Sequence, residues 1–293
     1  MQDPAASQNA QVLLIRRTGR DCPHKSMNFR KTVSVLGAPI DAVSWADALA
    51  TVSAWATDRE SRVVCICNVH SVVTAAQDPA FGKIVREADM ATPDGAPVAW
   101  VLRKLGQKDQ QRINGPDLMW RYCQTREATD SSLRGNDGKA NGSGIFLYGS
   151  SQQTLNMLKA KLLVAFPALK IAGTISPPFR KLTPEEDEAI VAQINASGTG
   201  VVFVSLGCPK QELWMAEHRG RIQAVMIGVG AAFDYHAGTI DRAPQWMQDS
   251  GLEWLHRLVN EPRRLWRRYL VTNSLFMLWA AKQLLLARVQ KPK

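Results

Sequence analysis

Short apolar runs alternate with amphipathic segments over most of this chain of 293 residues. The runs predict strands, and the segments between them, with apolar positions three and four residues apart, predict helices. The predicted strands cover residues 62–68, 144–149, 169–175, 201–206 and 224–229. Because these strands are apolar throughout, helices should cover both faces of their sheet. The pattern therefore predicts an α/β fold with a Rossmann-like, doubly wound and mainly parallel sheet.

Further elements are predicted around this sheet. Residues 33–43 predict a strand with a turn, residues 70–88 a single helix, and residues 91–95 a loop. Thr183 predicts a helix start, because Pro184 suits the first helical position and Glu186 completes a capping box.

The chain divides into three predicted regions. Residues 1–31 are polar and lack an apolar core, which predicts a disordered extension rather than a signal peptide; Met27 is an alternative start. Residues 32–245 form the predicted Rossmann-like domain, with a mobile loop at about 129–144 that is rich in Gly, Ser, Asn and Asp. Residues 246–293 predict a basic and apolar helical appendage that docks on a membrane.

Composition and charge narrow the class of protein. Hydrophobic residues make up 45% of the chain and charged residues 21%, which excludes a disordered chain. The net charge is +10, and seven of these charges lie in residues 253–293, where nine basic residues accompany two acidic ones. A nearly neutral globule with a basic C-terminal segment is therefore predicted, and the segment should meet an acidic partner.

The basic C-terminal segment has three interpretations. Four arginines interleave with Trp266 and Tyr269 and suit a helix at an anionic membrane surface: Arg263, Arg264, Arg267 and Arg268. The same helix could pack on the core or on a partner subunit, or bind nucleic acid. Nucleic acid is the weakest interpretation, because apolar residues 276–279 and 284–286 need burial. The most apolar stretch, residues 269–281, is 13 residues long and too short to cross a bilayer core of about 30 Å.

The five cysteines, Cys22, Cys65, Cys67, Cys123 and Cys208, are odd in number and form no CxxC pair or Cys/His ligand set. Reduced, buried thiols in a cytosolic protein are expected, and structural zinc is not.

Three loops carry candidate chemistry. Asp94, in the run Thr92-Pro93-Asp94-Gly95, has the setting of a general base, although an ordinary turn or capping Asp fits the same local sequence. Gly149 and Ser150, after a strand and before a helix, suit either a phosphate cradle or a plain helix cap. Residues 207–212 place Lys210, Gln211 and Glu212 at a helix start, where they would read a nucleotide or simply be solvated.

Other motifs are absent from the sequence. There is no P-loop, HExxH, Gly-x-Ser-x-Gly or Asp-x-Asp. Gly228-Val229-Gly230 is followed by Phe233 where a dinucleotide fingerprint needs a third glycine, so NAD is not expected. Without Asp-x-Asp, a nucleotide-sugar enzyme would stabilise its leaving diphosphate with cationic side chains and backbone N–H groups.

A series of motifs runs in order from about residue 33 to residue 269. It includes Asn68-Val69-His70, Pro93-Asp94-Gly95, Asn114-Gly115-Pro116-Asp117, Leu147-Tyr148-Gly149, Leu206-Gly207 with Pro209-Lys210-Gln211-Glu212, Phe233-Asp234, Arg242-Ala243-Pro244, Gly251-Leu252-Glu253-Trp254 with Arg257, and Glu261-Pro262 with Arg264, Arg268 and Tyr269. Together these motifs resemble the WecG/TagA/CpsF family of bacterial glycosyltransferases.

The resemblance implies an inverting transferase that moves a sugar from a UDP-sugar to a sugar on polyprenyl diphosphate, in the synthesis of bacterial surface polysaccharide or exopolysaccharide. Asp94 would be the general base. The matching motifs assign substrate contacts to Asn68, Asn114, Asp117, Gly149, Ser150, Gly207, Pro209, Lys210, Gln211, Glu212, Asp234 and Arg242. Membrane and diphosphate contacts would fall to Arg263, Arg264, Arg267 and Arg268.

The resemblance also implies a place and partners. The enzyme would sit peripherally on the anionic cytoplasmic face of the bacterial inner membrane, with no metal, cofactor or nucleic acid. Its exposed apolar tail would favour self-association where lipid is lacking.

Ile66 departs from the family, many members of which carry Thr two residues before the motif Asn. The run from Cys65 to His70 looks closer to the branch of the xanthan-type β-1,4-glucosyltransferase, whose donor is UDP-glucose and whose acceptor is glucosyl-diphospho-undecaprenol. Transfer of N-acetylmannosamine to lipid-linked N-acetylglucosamine is the alternative. A different class of function is also open: the protein could be a non-catalytic scaffold that binds a nucleotide at the membrane.

Overall fold

In the computed structural model, the described residues are 30–133 and 144–289. The strands are β1 (Thr32–Val35), β2 (Ala38–Asp41), β3 (Arg62–Cys67), β4 (Met90–Pro93), β5 (Ile145–Gly149), β6 (Ile171–Ile175), β7 (Val201–Ser205) and β8 (Val225–Gly228). The helices are α1 (Trp45–Thr57), α2 (Val69–Gln77), α3 (Pro79–Glu87), α4 (Ala96–Lys104), α5 (Gly115–Leu133), α6 (Gln152–Ala165), α7 (Pro184–Ala196), α8 (Lys210–Glu217), α9 (Ala232–Ala237), α10 (Gln245–Asp249), α11 (Glu253–Asn260) and α12 (Pro262–Val289).

Six strands form one parallel sheet in the order β4-β3-β8-β7-β5-β6, and β1 and β2 form a separate antiparallel hairpin. Side chains of β3, β5, β7 and β8 alternate between two buried clusters. In β3, Val63, Cys65 and Cys67 pack with α2, α3, α4, α7, α8 and α12, whereas Val64 and Ile66 pack with α1, α5, α6 and α9. The sheet is therefore covered on both faces, which confirms the predicted α/β, Rossmann-like fold.

Two predicted elements were wrong. The single helix over residues 70–88 is two helices, because Asp78 has extended backbone, caps α3 through its side chain and precedes a proline that suits the first helical turn. Of the predicted loop at residues 91–95, residues 91–93 belong to β4, which pairs with β3 along the edge of the sheet, and only Asp94 and Gly95 form the turn. The four residues of β4, with Thr and Pro among them, are too short and too mixed to show a strand pattern.

The predictions for residues 1–29, including Cys22 and the alternative start at Met27, lie outside the described residues. Of the predicted mobile loop at 129–144, residues up to Leu133 belong to α5, and residues 134–143 lie outside the description.

Helix α12 packs one face on the sheet and leaves the opposite face apolar. Leu265, Phe276 and Ala280 are buried against the globule, whereas Leu270 and Leu278 are 63% and 67% exposed. Gln283 also forms hydrogen bonds with β1 and the β1–β2 turn. Leu36 N donates to its Oε1 at 3.0 Å, and its Nε2 donates to Ser34 O at 2.7 Å. Core packing, one of the three interpretations of this segment, is therefore present together with an exposed apolar face.

By length and composition alone, one helix in the described part of the chain, Leu265–Val289, could cross a membrane. The predicted apolar stretch ends before Lys282, but the helix continues through three more leucines, and this added length meets the length that crossing needs. A helix packed on a soluble core passes the same test.

Candidate active site

A cavity of about 760 Å³ opens at the carboxyl ends of strands β3, β4, β5, β7 and β8. Small-molecule sites typically have volumes of about 300–1,000 Å³. Helices α2, α4, α6, α8 and α9 begin close after these strand ends, so the positive ends of their dipoles lie around the cavity. The site therefore favours an anionic ligand.

Asp94 lies at the end of β4, where the chain turns into α4. Its backbone N–H donates to Cys67 O at 3.0 Å, which holds the residue at the edge of the sheet. The next residue, Gly95, has φ of 80°, a conformation that favours glycine. This turn places Asp94 in the wall of the cavity.

The Asp94 carboxyl is deeply enclosed by protein and keeps part of its surface open to the cavity. Burial first, and then the negative charge of Glu253, raise its pKa from 3.8 to about 7. Arg112, the Gly95 N–H and Arg257 act in the opposite direction. A carboxyl with a pKa near neutrality is suited to take a proton from a hydroxyl and to release it again.

A chain of charged side chains runs beside Asp94. Arg112 Nη1 lies 3.1 Å from Glu253 Oε2, and Arg242 Nε lies 3.6 Å from Glu253 Oε1. Arg242 Nη1 lies 2.5 Å from Asp117 Oδ1. These four side chains are only 19–32% exposed, and they join the α4–α5 loop, α5, the segment after α9, and α11.

Asn114 and Asp117 hold the start of α5. Asp117 N donates to Asn114 Oδ1 at 2.9 Å, and Asn114 Nδ2 donates to Asp117 Oδ2 at 2.7 Å. Burial acts to raise the pKa of Asp117, but Arg242 and Asn114 outweigh it and hold the pKa below its usual range. Asp117 therefore anchors Arg242 behind the cavity wall.

Replacing Asp117 by Ala should lower the free energy of unfolding by about 2 kcal/mol, because a charge-assisted hydrogen bond to Arg242 and the bond to Asn114 are both lost. Urea denaturation measures this change. Glu188→Gln is the matched control: Glu188 pairs with Arg221 at 2.7 Å but is 71% exposed, so its loss should cost less than about 0.5 kcal/mol. Equal losses in the two variants would contradict the anchoring role of Asp117.

The loop after β5 is tightly bound to β7. Gly149 has φ of 118°, and a Cβ there would lie 2.4 Å from Ser205 O. Ser150 N donates to the same Ser205 O at 3.1 Å, and Ser150 Oγ lies 3.5 Å from Asp234 Oδ1. The N–H of Ser150 is thus already used, and the side chains of Ser150 and Asp234 are the groups that face the cavity.

Residues 207–212 divide between the cavity and the core. Gln211 is 4% exposed and still lines the cavity; its Oε1 accepts from Gly230 N at 3.1 Å and its Nε2 donates to Glu212 Oε1 at 2.9 Å. Glu212 is 1% exposed, so the interpretation that it is simply solvated in the first helical turn was wrong. Lys210 is exposed. The helix turns Glu212 inward, where its charge acts on Cys65 and Cys67.

Of the residues predicted from the sequence, seven line the cavity: Asn68, Asp94, Asn114, Ser150, Gly207, Gln211 and Asp234. Six others lie behind or beside it: Asp117, Gly149, Pro209, Lys210, Glu212 and Arg242. Arg263 and Arg267 are exposed on α12, away from the lining. For Arg264 and Arg268 the structure describes only their place in α12.

Several lining residues were missed from the sequence. Arg112, Glu253 and Arg257 bring charge, and Tyr235 lies 5.9 Å beneath the Arg257 guanidinium. Helix α12 adds four more wall residues: Leu265, Tyr269, Thr272 and Asn273. Glu253 and Arg257 lie in the last motifs of the resemblance, which is the signal that points to them.

Among residues 30–133 and 144–289, no group of three or more His, Cys, Asp or Glu side chains is arranged to hold a metal ion. Within the described residues, Cys65, Cys67, Cys123 and Cys208 form no disulfide, and burial raises the pKa of Cys65 and Cys67 well above the usual range.

One comparison with known proteins covers most of the chain. A family model described as the glycosyl transferase WecG/TagA/CpsF family matches residues 33–290. The match spans the sheet, the cavity and helices α10–α12, so it includes every wall of the site described above.

Proposed function

The chain belongs to the WecG/TagA/CpsF family of glycosyltransferases, and we propose that it transfers a sugar, with inversion, from a UDP-sugar to a sugar carried on polyprenyl diphosphate. The observation that carries this proposal is Asp94, a carboxyl with a pKa of about 7 in the wall of an anion-favouring cavity. A nucleotide-sugar diphosphate and a lipid diphosphate are both anions, and their reaction needs a base.

In the proposed reaction, the Asp94 carboxylate takes the proton of the acceptor hydroxyl. The hydroxyl oxygen forms the new bond to the anomeric carbon of the donor sugar. The bond from that carbon to UDP breaks, and its electron pair leaves with the diphosphate. Because the oxygen attacks from the face opposite UDP, the configuration of the carbon is inverted.

The leaving diphosphate needs positive charge near it. Two guanidinium groups line the cavity, Arg112 and Arg257, and Arg257 Nε has no hydrogen-bond partner in the described chain. Arg242 is committed to Asp117, so we assign the diphosphate to Arg257 and the start of α6 rather than to Arg242. We expect no metal in this role, and addition of EDTA should leave turnover unchanged.

For the substrates, we propose UDP-glucose as donor and glucosyl-diphospho-undecaprenol as acceptor, with a β-1,4 linkage. The support is Ile66, an apolar residue in the cavity floor at a position where many family members carry Thr. The test is a screen of radiolabelled UDP-sugars with short-chain lipid-diphosphate sugars. Transfer of N-acetylmannosamine would favour the alternative donor, and UDP binding without transfer would favour a scaffold.

We further propose that the protein docks peripherally on the anionic cytoplasmic face of the inner membrane. The exposed apolar face of α12 and the exposed Arg263 and Arg267 support this, because apolar burial and attraction to anionic lipid act together at an interface.

The pH dependence of kcat/KM should follow the ionisation of Asp94. The base must be a carboxylate, so kcat/KM should be constant above its pKa of about 7 and fall about tenfold per pH unit below it. Initial rates measured from about pH 5 to 9 check this expectation. A profile that stays flat down to pH 5 would exclude a base with this pKa.

A further inference from the structure

Glu253, at the first position of α11, brings a negative charge from the C-terminal appendage to the catalytic cavity. It lines the same cavity as Asp94 and is 21% exposed. We propose that Glu253 is a positioning residue for the reaction: it holds the Arg112 guanidinium and thereby keeps Asp94 free to accept the proton of the acceptor hydroxyl. This inference rests on the proposed function of Asp94.

The geometry gives Arg112 a fixed place. Its Nη1 lies 3.1 Å from Glu253 Oε2, and its Nη2 lies 3.5 Å from Gln248 Oε1. Gln248 is itself buried, and its Nε2 donates to Ala243 O at 2.7 Å. Arg112 is therefore held by α10 and α11 together, on the side of the cavity that the appendage forms.

The second oxygen of Glu253 is also engaged. Its Oε1 lies 3.6 Å from Arg242 Nε, and Arg242 is anchored at 2.5 Å by Asp117. Two acids and two arginines thus alternate in the order Asp117, Arg242, Glu253, Arg112. An alternating chain of this kind fixes each member, because a shift of one side chain costs contacts on both sides.

Arg112 has two carboxylates within its field, Glu253 and Asp94, and its charge already acts on Asp94. If Glu253 were neutral, Arg112 would lose its carboxylate partner, and Asp94 is a carboxylate on which its charge already acts. An aspartate paired with arginine is a weaker base, since the pair stabilises the ionised form, and its oxygens are occupied. Glu253 therefore keeps Arg112 from pairing with Asp94. Its own negative charge also favours the protonated form of Asp94.

Other charged and titratable residues line the same cavity as Asp94. They are His70 on α2, Cys208 before α8, Asp234 and Tyr235 on α9, Arg257 on α11 and Tyr269 on α12. Only Glu253, Arg112 and Arg257 are side chains whose charges are among the main influences on Asp94. Of these, Glu253 alone favours the protonated form.

The test compares the wild-type protein with Glu253→Gln in the full chain, by kcat/KM as a function of pH. We expect the acid limb of the variant to move down by about one pH unit and its plateau to fall by about tenfold. Glu253→Asp should restore the wild-type midpoint, since it keeps the charge. Asp249→Asn, an exposed site on α10 of the same appendage, is the control and should change neither quantity.

A lowered plateau with an unmoved midpoint would show that Glu253 only holds the appendage in place, and it would overturn the proposal. Carbon-13 NMR of aspartate-labelled protein measures the Asp94 titration without substrate, with Asp94→Asn to assign the signal. An Asp94 midpoint that is equal in wild type and Glu253→Gln would likewise overturn it. A wild type with no acid limb would instead contradict the proposed function, while the NMR comparison would still decide the role of Glu253.

Discussion

Replacing Asp94 by Asn is expected to lower kcat by about 10²–10⁴-fold with little change in the affinity for UDP. The amide has the size of the carboxyl and cannot accept the proton of the acceptor hydroxyl. The measurement is transfer of radiolabelled sugar to the lipid fraction, together with UDP binding by calorimetry.

The matched control for this change is Asp58→Asn, which makes the same substitution at an exposed position after α1. It should transfer sugar at the wild-type rate. Turnover of Asp94→Asn within a factor of about three of wild type, in a folded protein, would remove Asp94 from the role of base.

Asp94→Asn should also make the protein more stable at alkaline pH. The pKa of Asp94 is about 7 in the folded protein against an ordinary value of 3.8, so the folded state binds its proton more tightly than the unfolded chain. Stability is therefore lost as the pH rises from about 4 to 7, and a carboxylate ionised at pH 8 is destabilising. Asp94→Asn should melt at a higher temperature than wild type at pH 8, and this difference in melting temperature should vanish near pH 4. The same measurement shows that the variant loses activity without losing its fold.

A chain that ends at Val259 should lose both membrane binding and most of its transfer activity. This truncation removes α12, whose Leu265 and Tyr269 form part of the cavity wall and whose Phe276 and Ala280 cover the sheet. Vesicle sedimentation with anionic lipid and the sugar-transfer assay measure the two losses. Truncated protein that still sediments with vesicles would contradict docking through α12.

A double variant separates docking from the cavity wall. Leu270→Ser with Leu278→Ser changes two leucines that are 63% and 67% exposed and leaves the packed face of α12 intact. Vesicle binding should fall about tenfold or more, because apolar side chains no longer enter the interface. UDP affinity should stay at the wild-type value. A loss of UDP affinity in the double variant would show that these leucines support the fold rather than the membrane contact.

The sheet and Asp94 could be predicted from the sequence because their signals are local. Buried parallel strands are continuous apolar runs, and Pro93 and Gly95 mark the turn that carries Asp94. The edge strand β4 escaped prediction because its four residues lack such a run. The break at Asp78 was hidden because the apolar spacing of α2 appeared to continue into α3.

The charged wall of the site could not be predicted, because it depends on contacts between distant residues. Arg112 and Glu253 are 141 residues apart, and no local pattern in either segment indicates their pairing. The inward turn of Glu212 has the same origin: a glutamate in a first helical turn is normally solvated, and only the packing of α8 against β8 and β3 places it in the core.

The bond between Gln283 and the β1–β2 turn has a consequence for biosynthesis. Leu36 and Gln283 are separated by 247 residues. The β1–β2 turn is therefore synthesised early, and its bond to Gln283 can form only after almost the whole described chain has been translated. At about 5–20 residues per second this delay is roughly 12–50 s. During that time the sheet strands can emerge and pair, and the apolar helix leaves the ribosome after them. The surface that would attract the nascent enzyme to lipid is thus produced only after the parts of the globule that should already be folded.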